Sequence, residues 1–273
     1  MTINCKGQLI DLSEPKVMGI LNITPDSFYD GGLYKNDKDI LIQTEKMLNE
    51  GATFIDVGAY SSRPNATHIG QTEELKRMLP IVELLVKYFP EANISIDTFR
   101  SAVAKQSIEA GAALINDISA GQMDNSMMKI VAELGVPYIM MHMKGTPQKM
   151  QQQTNYTHLV KEIIFYFSER ITEARDHKIN DIIIDLGFGF SKNLEQNYEL
   201  LSKLELFKNL DLPILVGVSR KSMIYKLLDA TPQEALNGTT TLNTVALTKG
   251  ANILRVHDVK EAIECIKITH QMN

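Results

Sequence analysis

The sequence predicts an α/β protein, a single (β/α)8 TIM barrel with a short N-terminal hairpin. Three observations carry that expectation. Eight short, mostly apolar runs alternate with helical patterns along the 273 residues, and strict βα alternation over about 250 residues is what such a barrel needs. The runs lack the in-out alternation of a half-exposed sheet, as expected when both faces are covered. No Pro/Gly/Ser-rich linker divides the chain, so residues 1–273 read as one domain. A doubly wound open sheet is the alternative, and the missing GxGxxG after the first core strand counts against its dinucleotide-binding form.

The elements follow in order. Ile3 to Leu12 holds a Lys6-Gly7 turn between short apolar pieces, a hairpin that would plug one end of the fold. Val17 to Ile23 is an apolar run broken only by Asn22, the first core strand. Asp37 to Glu50 has helical spacing and stops at Gly51. Thr53 to Gly58 is the second core strand and Thr72 to Tyr88 the next helix. Asn93 to Asp97 is a strand ending in a carboxylate, and Ser101 to Ala110 a helix that Gly111 ends. Ala113 to Asp117 is the fourth core strand, Asn125 to Leu134 a helix capped by Gly135, and Pro137 to His142 the fifth strand. Tyr156 to His177 is a long helix, Asp181 to Leu186 the sixth strand, and Leu194 to Phe207 a helix. Pro213 to Val218 is the seventh strand. Thr231-Pro232 opens a helix to Lys249. Asn252 to His257 is the eighth strand, and Asp258 to Met272 the last helix.

Composition excludes several classes of function. Apolar residues make up 44% and charged residues 22% of the chain, ordinary globular usage. The formal net charge is −5 and no Lys/Arg block runs along the sequence, which argues against a nucleic-acid partner. No apolar run reaches the length of a membrane span, and residues 1–6 contain no apolar signal region. Cys5 and Cys265 lie near opposite ends and form no CxxC pair, so a reducing cytoplasm is expected.

The strand ends carry the chemistry. They supply Asn22, Ser62-Arg63 just beyond the second strand, Asp97, Asn116, His142, Asp185, Lys221 and Arg255 with His257. In a parallel barrel these ends share one face, where active sites lie. Arg63, Arg255 and His257, with Asn22, suit a phosphate or diphosphate, because the guanidinium fork matches phosphate oxygens. Asn22 also offers a carbonyl oxygen to Mg²⁺, which keeps several waters and bridges to substrate phosphates. His257 has a second role open to it, capping the last helix.

Asp97, Asn116, Asp185 and Lys221 would converge in the barrel mouth and present donors and acceptors to a flat heterocycle. A buried Asp185–Lys221 ion pair serving only the barrel ranks second, since such pairs give weak stability for their desolvation cost. Met140 would wall a flat ring, although a core methionine is the default for that residue type. Asp56, mid-strand, reads as a structural polar group inside the barrel.

With these residues assembled, the sequence resembles the dihydropteroate synthase family along essentially the whole chain. The signatures are Met18 to Phe28, Asp185-Leu186-Gly187-Phe188-Gly189-Phe190, Gly217-Val218-Ser219-Arg220-Lys221-Ser222 and Arg255-Val256-His257. The resemblance implies a homodimeric TIM barrel of folate biosynthesis. It joins 6-hydroxymethyl-7,8-dihydropterin diphosphate to p-aminobenzoate with Mg²⁺, releasing diphosphate and 7,8-dihydropteroate. By the same resemblance Asp97, Asn116, Asp185 and Lys221 hold the pterin, with Met140 and Gly217 lining its slot. Asn22, Ser62, Arg63, Arg255 and His257 hold diphosphate and metal. Pro64, Phe190, Lys221 and Ser222 shape the p-aminobenzoate pocket, where sulfonamides bind in this family. One departure is Ser61-Ser62-Arg63-Pro64, where the family commonly has Ser-Thr-Arg-Pro. The hydroxyl is kept and a methyl is lost, which puts p-aminobenzoate and sulfonamide affinity in question.

The candidate catalytic residues are Asp97, Asp185, Lys221, Arg255 and His257. The Arg/His cluster and Mg²⁺ would stabilise departing diphosphate. Asp97, joined by Asp185, would stabilise positive charge spread through the pterin ring. Loops at 24–36 and 59–70 would close over the site and exclude water. Three rivals remain at the level of sequence. A pterin-binding methyl-transfer barrel would not need the diphosphate cluster. A class I aldolase would use Lys221 as a Schiff-base nucleophile. A silent pterin-binding barrel would have lost a site residue.

Overall fold

A computed structural model describes residues 1–23, 37–60 and 68–272. Eight parallel strands close into a barrel in sequence order: β3 (Lys16–Asn22), β4 (Phe54–Gly58), β5 (Asn93–Asp97), β6 (Leu114–Asp117), β7 (Tyr138–Met141), β8 (Ile182–Asp185), β9 (Ile214–Val216) and β10 (Ile253–Val256). β10 pairs back onto β3, with Arg255 opposite Met18. The helices are α1 (Asp37–Asn49), α2 (Gln71–Tyr88), α3 (Ser101–Glu109), α4 (Met127–Leu134), α5 (Leu159–Asp176), α6 (Leu194–Ser202), α7 (Ser222–Tyr225), α8 (Leu236–Thr248) and α9 (Val259–His270). None of the described helices is long and apolar enough to cross a membrane.

Each strand buries two different faces. Outward residues such as Val17, Leu21, Ile55, Val57, Ile94 and Ile184 join one large core with the inward faces of the helices. Inward residues change character along the barrel axis. Near the strand starts they are apolar on seven strands, with Met18, Phe54, Leu114, Ile139, Ile183, Leu215 and Ile253, while β5 contributes the buried Asn93 and Ser95. One step further along the same face they become Asp56, Asn116, Asp185 and Arg255. The closed sheet therefore packs its bottom and leaves its polar groups at the strand C-termini.

The hairpin of β1 (Thr2–Cys5) and β2 (Gln8–Asp11) closes the bottom. Its turn puts Lys6 (φ 54°) and Gly7 (φ 83°) in the left-handed region, the pattern of a two-residue I′ turn. Ile3, Cys5 and Leu12 insert into the apolar end of the barrel. The Asn4 N–H donates to Asp181 and the Asn252 amide to the Leu12 carbonyl.

Two helix expectations need correction. The helix expected from Thr231 begins at Leu236. Glu234 instead accepts from both the N–H and the hydroxyl of Thr231, which holds that stretch as a turn. A short separate helix, α7, precedes it and was not anticipated. The helix expected over Leu194–Phe207 divides into α6, begun by an Asn193/Gln196 capping box, and a 3₁₀ stretch Leu204–Leu210.

Candidate active site

The strand register assembles the barrel mouth. Asn22 lies opposite Gly58, Gly58 opposite Asp97, and Asp97 opposite Asn116, so four adjacent strands contribute one level of a ring. A side chain at Gly58 would put its Cβ 3.5 Å from Asn22 Oδ1 and 3.6 Å from Asp97 Oδ2. The glycine thus leaves a cradle between an amide oxygen and a carboxylate.

Arg255 is the centre of the polar network. Its Nε donates to Asp56 Oδ2 at 2.6 Å and its Nη2 to Asp97 Oδ2 at 3.0 Å. The Asn116 amide donates to the same Asp56 oxygen at 3.1 Å. The sequence grouped Arg255 with the phosphate-binding residues, whereas here its fork is turned toward the two carboxylates. Asp56, read from the sequence as structural, joins Arg255 to Asn116. Its position inside an apolar strand was the one signal that could have found it.

Lys221 enters from the other side, between two glycines. A Cβ on Gly217 would lie 3.9 Å from Lys221 Nζ and one on Gly189 3.3 Å from its Cδ. The Lys221 ammonium donates to the Phe188 carbonyl and sits 5.1 Å from the centre of the Phe190 ring. Asp185 accepts from the Gly187 N–H at 2.8 Å. The two residues therefore face each other through the loop that follows β8, rather than closing the direct ion pair considered above.

Burial sets the charges. It pushes the Asp97 carboxyl up to about 7, against the pull of Arg255 and helped by Asp56. Burial also raises Asp185, with Lys221 opposing, and pulls Lys221 down to about 8 against Asp185. Burial alone would lower Arg255, but Asp56 and Asp97 outweigh it and keep the guanidinium charged. Two carboxylates sharing one guanidinium leave a surplus negative charge, which favours a proton on one of them.

His257 lies beside this network. Its Nδ1 is 3.0 Å from Ser219 Oγ, and its N–H donates to the same oxygen. The next residue, Asp258, takes a bidentate pair from Arg220 at 2.8 Å through each oxygen. Arg220, at φ 54°, also donates to the Pro232 and Gln233 carbonyls. This anchor fixes the turn that delivers Lys221 and Ser222, the first residue of α7, and sequence reasoning did not single it out.

Met140 needs correction. It faces Asp117 and Ile184 in register and packs in the outer core, on the helix side of β7. Met141 pairs with Asp185 and therefore shares the inward face. Met141 joins Tyr60, Phe99, Ile118, Met143 and Met150 in an apolar cluster at the mouth, with Phe190 packed against it. His142, another strand-end residue, turns away from the mouth toward Lys192 and Tyr166. Ser62, Arg63 and Pro64, and most of the two loops expected to close, lie outside the described residues.

Among the described residues no group of three or more His, Cys, Asp or Glu side chains could hold a metal. The arrangement offers carboxylates, an amide, an ammonium and a guanidinium around one opening, bordered by an aromatic and methionine wall. That set can bind a flat polar ring and stabilise positive charge on it.

The pterin binding enzyme family model matches residues 18–257. The dihydropteroate synthase of Escherichia coli (strain K12) is 43% identical over 270 residues, covering 98% of this chain and 95% of that protein. The dihydropteroate synthase of Haemophilus influenzae is 40% identical, covering 98% of each. The solved Yersinia pestis dihydropteroate synthase in a sulfonamide complex superposes with a TM-score of 0.96 at 42% identity, covering 100% of this chain and 99% of that one. The Xanthomonas albilineans dihydropteroate synthase solved with 4-aminobenzoic acid gives 0.91 at 35% identity, covering 99% and 97%.

Proposed function

We propose, from the premise that the chain belongs to the dihydropteroate synthase family of pterin-binding enzymes, an assignment of its residues to that reaction. The reaction condenses 6-hydroxymethyl-7,8-dihydropterin diphosphate with p-aminobenzoate to 7,8-dihydropteroate and releases diphosphate. The observation that supports the assignment best is the Asp56–Arg255–Asp97 network beside Asn116, with Lys221 and Asp185 across the opening. It offers hydrogen bonds to ring nitrogens and an exocyclic amine on several edges of one flat ring.

The pterin lies among Asp97, Asn116, Asp185 and Lys221, with Gly217 keeping the slot open and Met141 on its apolar wall. The C–O bond between the exocyclic methylene and the diphosphate breaks, and its electron pair leaves with the diphosphate. Positive charge then spreads from the methylene into the ring, where Asp97 and Asp185 stabilise it. The p-aminobenzoate nitrogen, a free nucleophile, forms the new C–N bond and gives up one proton. No covalent enzyme intermediate is required.

Arg63, Ser62 and His257 hold the diphosphate, and Arg255 orders Asp97 while reaching toward it. Pro64, Phe190, Lys221 and Ser222 border p-aminobenzoate, and sulfonamides would compete there. Asn22 fits Mg²⁺ as a single protein oxygen at the cradle beside Gly58, the sparse protein share this ion takes when substrate phosphates and water complete its shell. When bound, the ion would supply neutralising charge to the diphosphate. The barrel acts as one domain and associates as a homodimer.

The test is diphosphate release from the pterin diphosphate with and without p-aminobenzoate and Mg²⁺. Release that requires all three and yields dihydropteroate supports the assignment. Tight pterin binding without release overturns it.

A further inference from the structure

Behind the proposed p-aminobenzoate pocket lies a buried lysine that the reaction as written does not use. Lys192 is 3% exposed. Its ammonium has three N–H donors and three neighbours, each at 3.0 Å: His142 Nδ1, the Gly187 carbonyl and the Phe190 carbonyl. An ammonium has no lone pair to offer, so Nδ1 is the acceptor and the imidazole proton sits on Nε2. Burial, with Lys192 adding to it, holds His142 well below the usual histidine range, consistent with that neutral ring. The ring is itself fixed edge-on to Tyr166, 4.8 Å between centres at 87°.

The segment drawn around Lys192 is unusually tight. Gly187, Gly189 and Ser191 all lie at positive φ, at 67°, 81° and 52°. A Cβ on Gly187 would fall 2.1 Å from the His142 carbonyl oxygen, so the loop presses against the end of β7. Between the two carbonyls held by Lys192 is Phe188, whose own carbonyl accepts from Lys221. Phe190, one of the two residues held, carries the ring beside Lys221.

We propose that Lys192 is a positioning residue for the p-aminobenzoate half of the site. Its ammonium, seated on His142, gathers the Gly187 and Phe190 carbonyls and thereby sets both the Phe188 carbonyl that holds Lys221 and the Phe190 ring. Stability alone does not explain such a residue. Its three partners are neutral, and burial pulls it down to about 7, Asp185 opposing, so the charge is held at a cost. This inference rests on the assignment of Phe190 and Lys221 given above.

The experiment compares Lys192→Met and His142→Leu with the wild type in steady-state kinetics, varying each substrate, with thermal melts alongside. A merely structural lysine would lower melting temperature and active fraction, leaving both KM values unchanged, because KM does not depend on how much enzyme is folded. Positioning predicts a KM for p-aminobenzoate raised about tenfold in Lys192→Met, with a smaller rise, about threefold, for pterin diphosphate, because Lys221 borders both substrates while Phe190 borders p-aminobenzoate alone. His142→Leu, which leaves both carbonyls on Lys192, raises the same KM by about threefold. It tests the idea independently if Lys192→Met does not fold. An unchanged KM for p-aminobenzoate, or an equal rise in both, overturns the inference. Absence of wild-type turnover would instead strike the functional assignment itself.

Discussion

Asp97 shows how one side chain ties stability to the site. Its folded-state value, pushed up by burial, lies above the unfolded carboxylate range. A raised value means the folded state holds a proton that the unfolded chain has already lost. The associated stability is present below the unfolded value and disappears as pH rises through about 7. Asp97→Asn removes that dependence, so the melting temperature of the variant relative to wild type should climb between pH 4 and 8. A flat difference across that range would show that Arg255 keeps Asp97 ionised. Asp56 is the complementary case. Asp56→Ala strips Arg255 and Asn116 of one shared acceptor in a fully buried position. Breaking such a pair should destabilise by about 3–5 kcal/mol in urea unfolding. A loss under about 1 kcal/mol would mean that Asp97 takes over the guanidinium.

At the scale of the element, what the sequence revealed and what it hid have physical causes. The eight core strands were legible because each is a short, mostly apolar run and most are followed closely by a polar residue, and helix stops such as Gly135, at φ 63°, announce themselves. The facing of a strand was not legible where both faces are buried. Tyr138-Ile139-Met140-Met141 has no alternation to read, so the sequence points to Met140 where the inward-facing residue is Met141. Asp56 was placed inside the barrel correctly, but its partners come from strands far away in sequence. Lys192 carries no sequence signal of its role, because the His142 acceptor lies 50 residues away on the end of β7 and the other two acceptors are backbone carbonyls.

The loop after β8 also yields a prediction. Gly187→Ala must place a methyl against the His142 carbonyl and hold φ near 67°. The left-handed backbone alone costs about 1–2 kcal/mol, and the clash forces the loop off β7. Loss of p-aminobenzoate affinity should exceed loss of pterin affinity. Gly217→Ala meets its nearest neighbour at 3.7 Å, ordinary contact. It should fold normally and weaken pterin binding by narrowing the slot. Equal effects of the two alanines would contradict this division of the mouth.

Across the whole molecule, the barrel separates what holds it together from what acts. Its interior is apolar at the hairpin end and charged at the other, so the packing that stabilises the sheet is remote from the groups that carry chemistry. Ile3, 1% exposed, is the hairpin's anchor in that apolar end. Ile3→Ala leaves a cavity among Met18, Phe54 and their neighbours, and such truncations cost about 2–5 kcal/mol. The proposed substrate residues are untouched, so KM for both substrates should match wild type at temperatures where the variant is folded. Combined with Asp97→Asn, the stability changes should add within about 0.5 kcal/mol, because the two sites share no partner. Marked non-additivity, or a KM that shifts with Ile3→Ala, would show that the plug is strained against the mouth through the strands. The hairpin would then have to be counted as part of the catalytic architecture and not only as its floor.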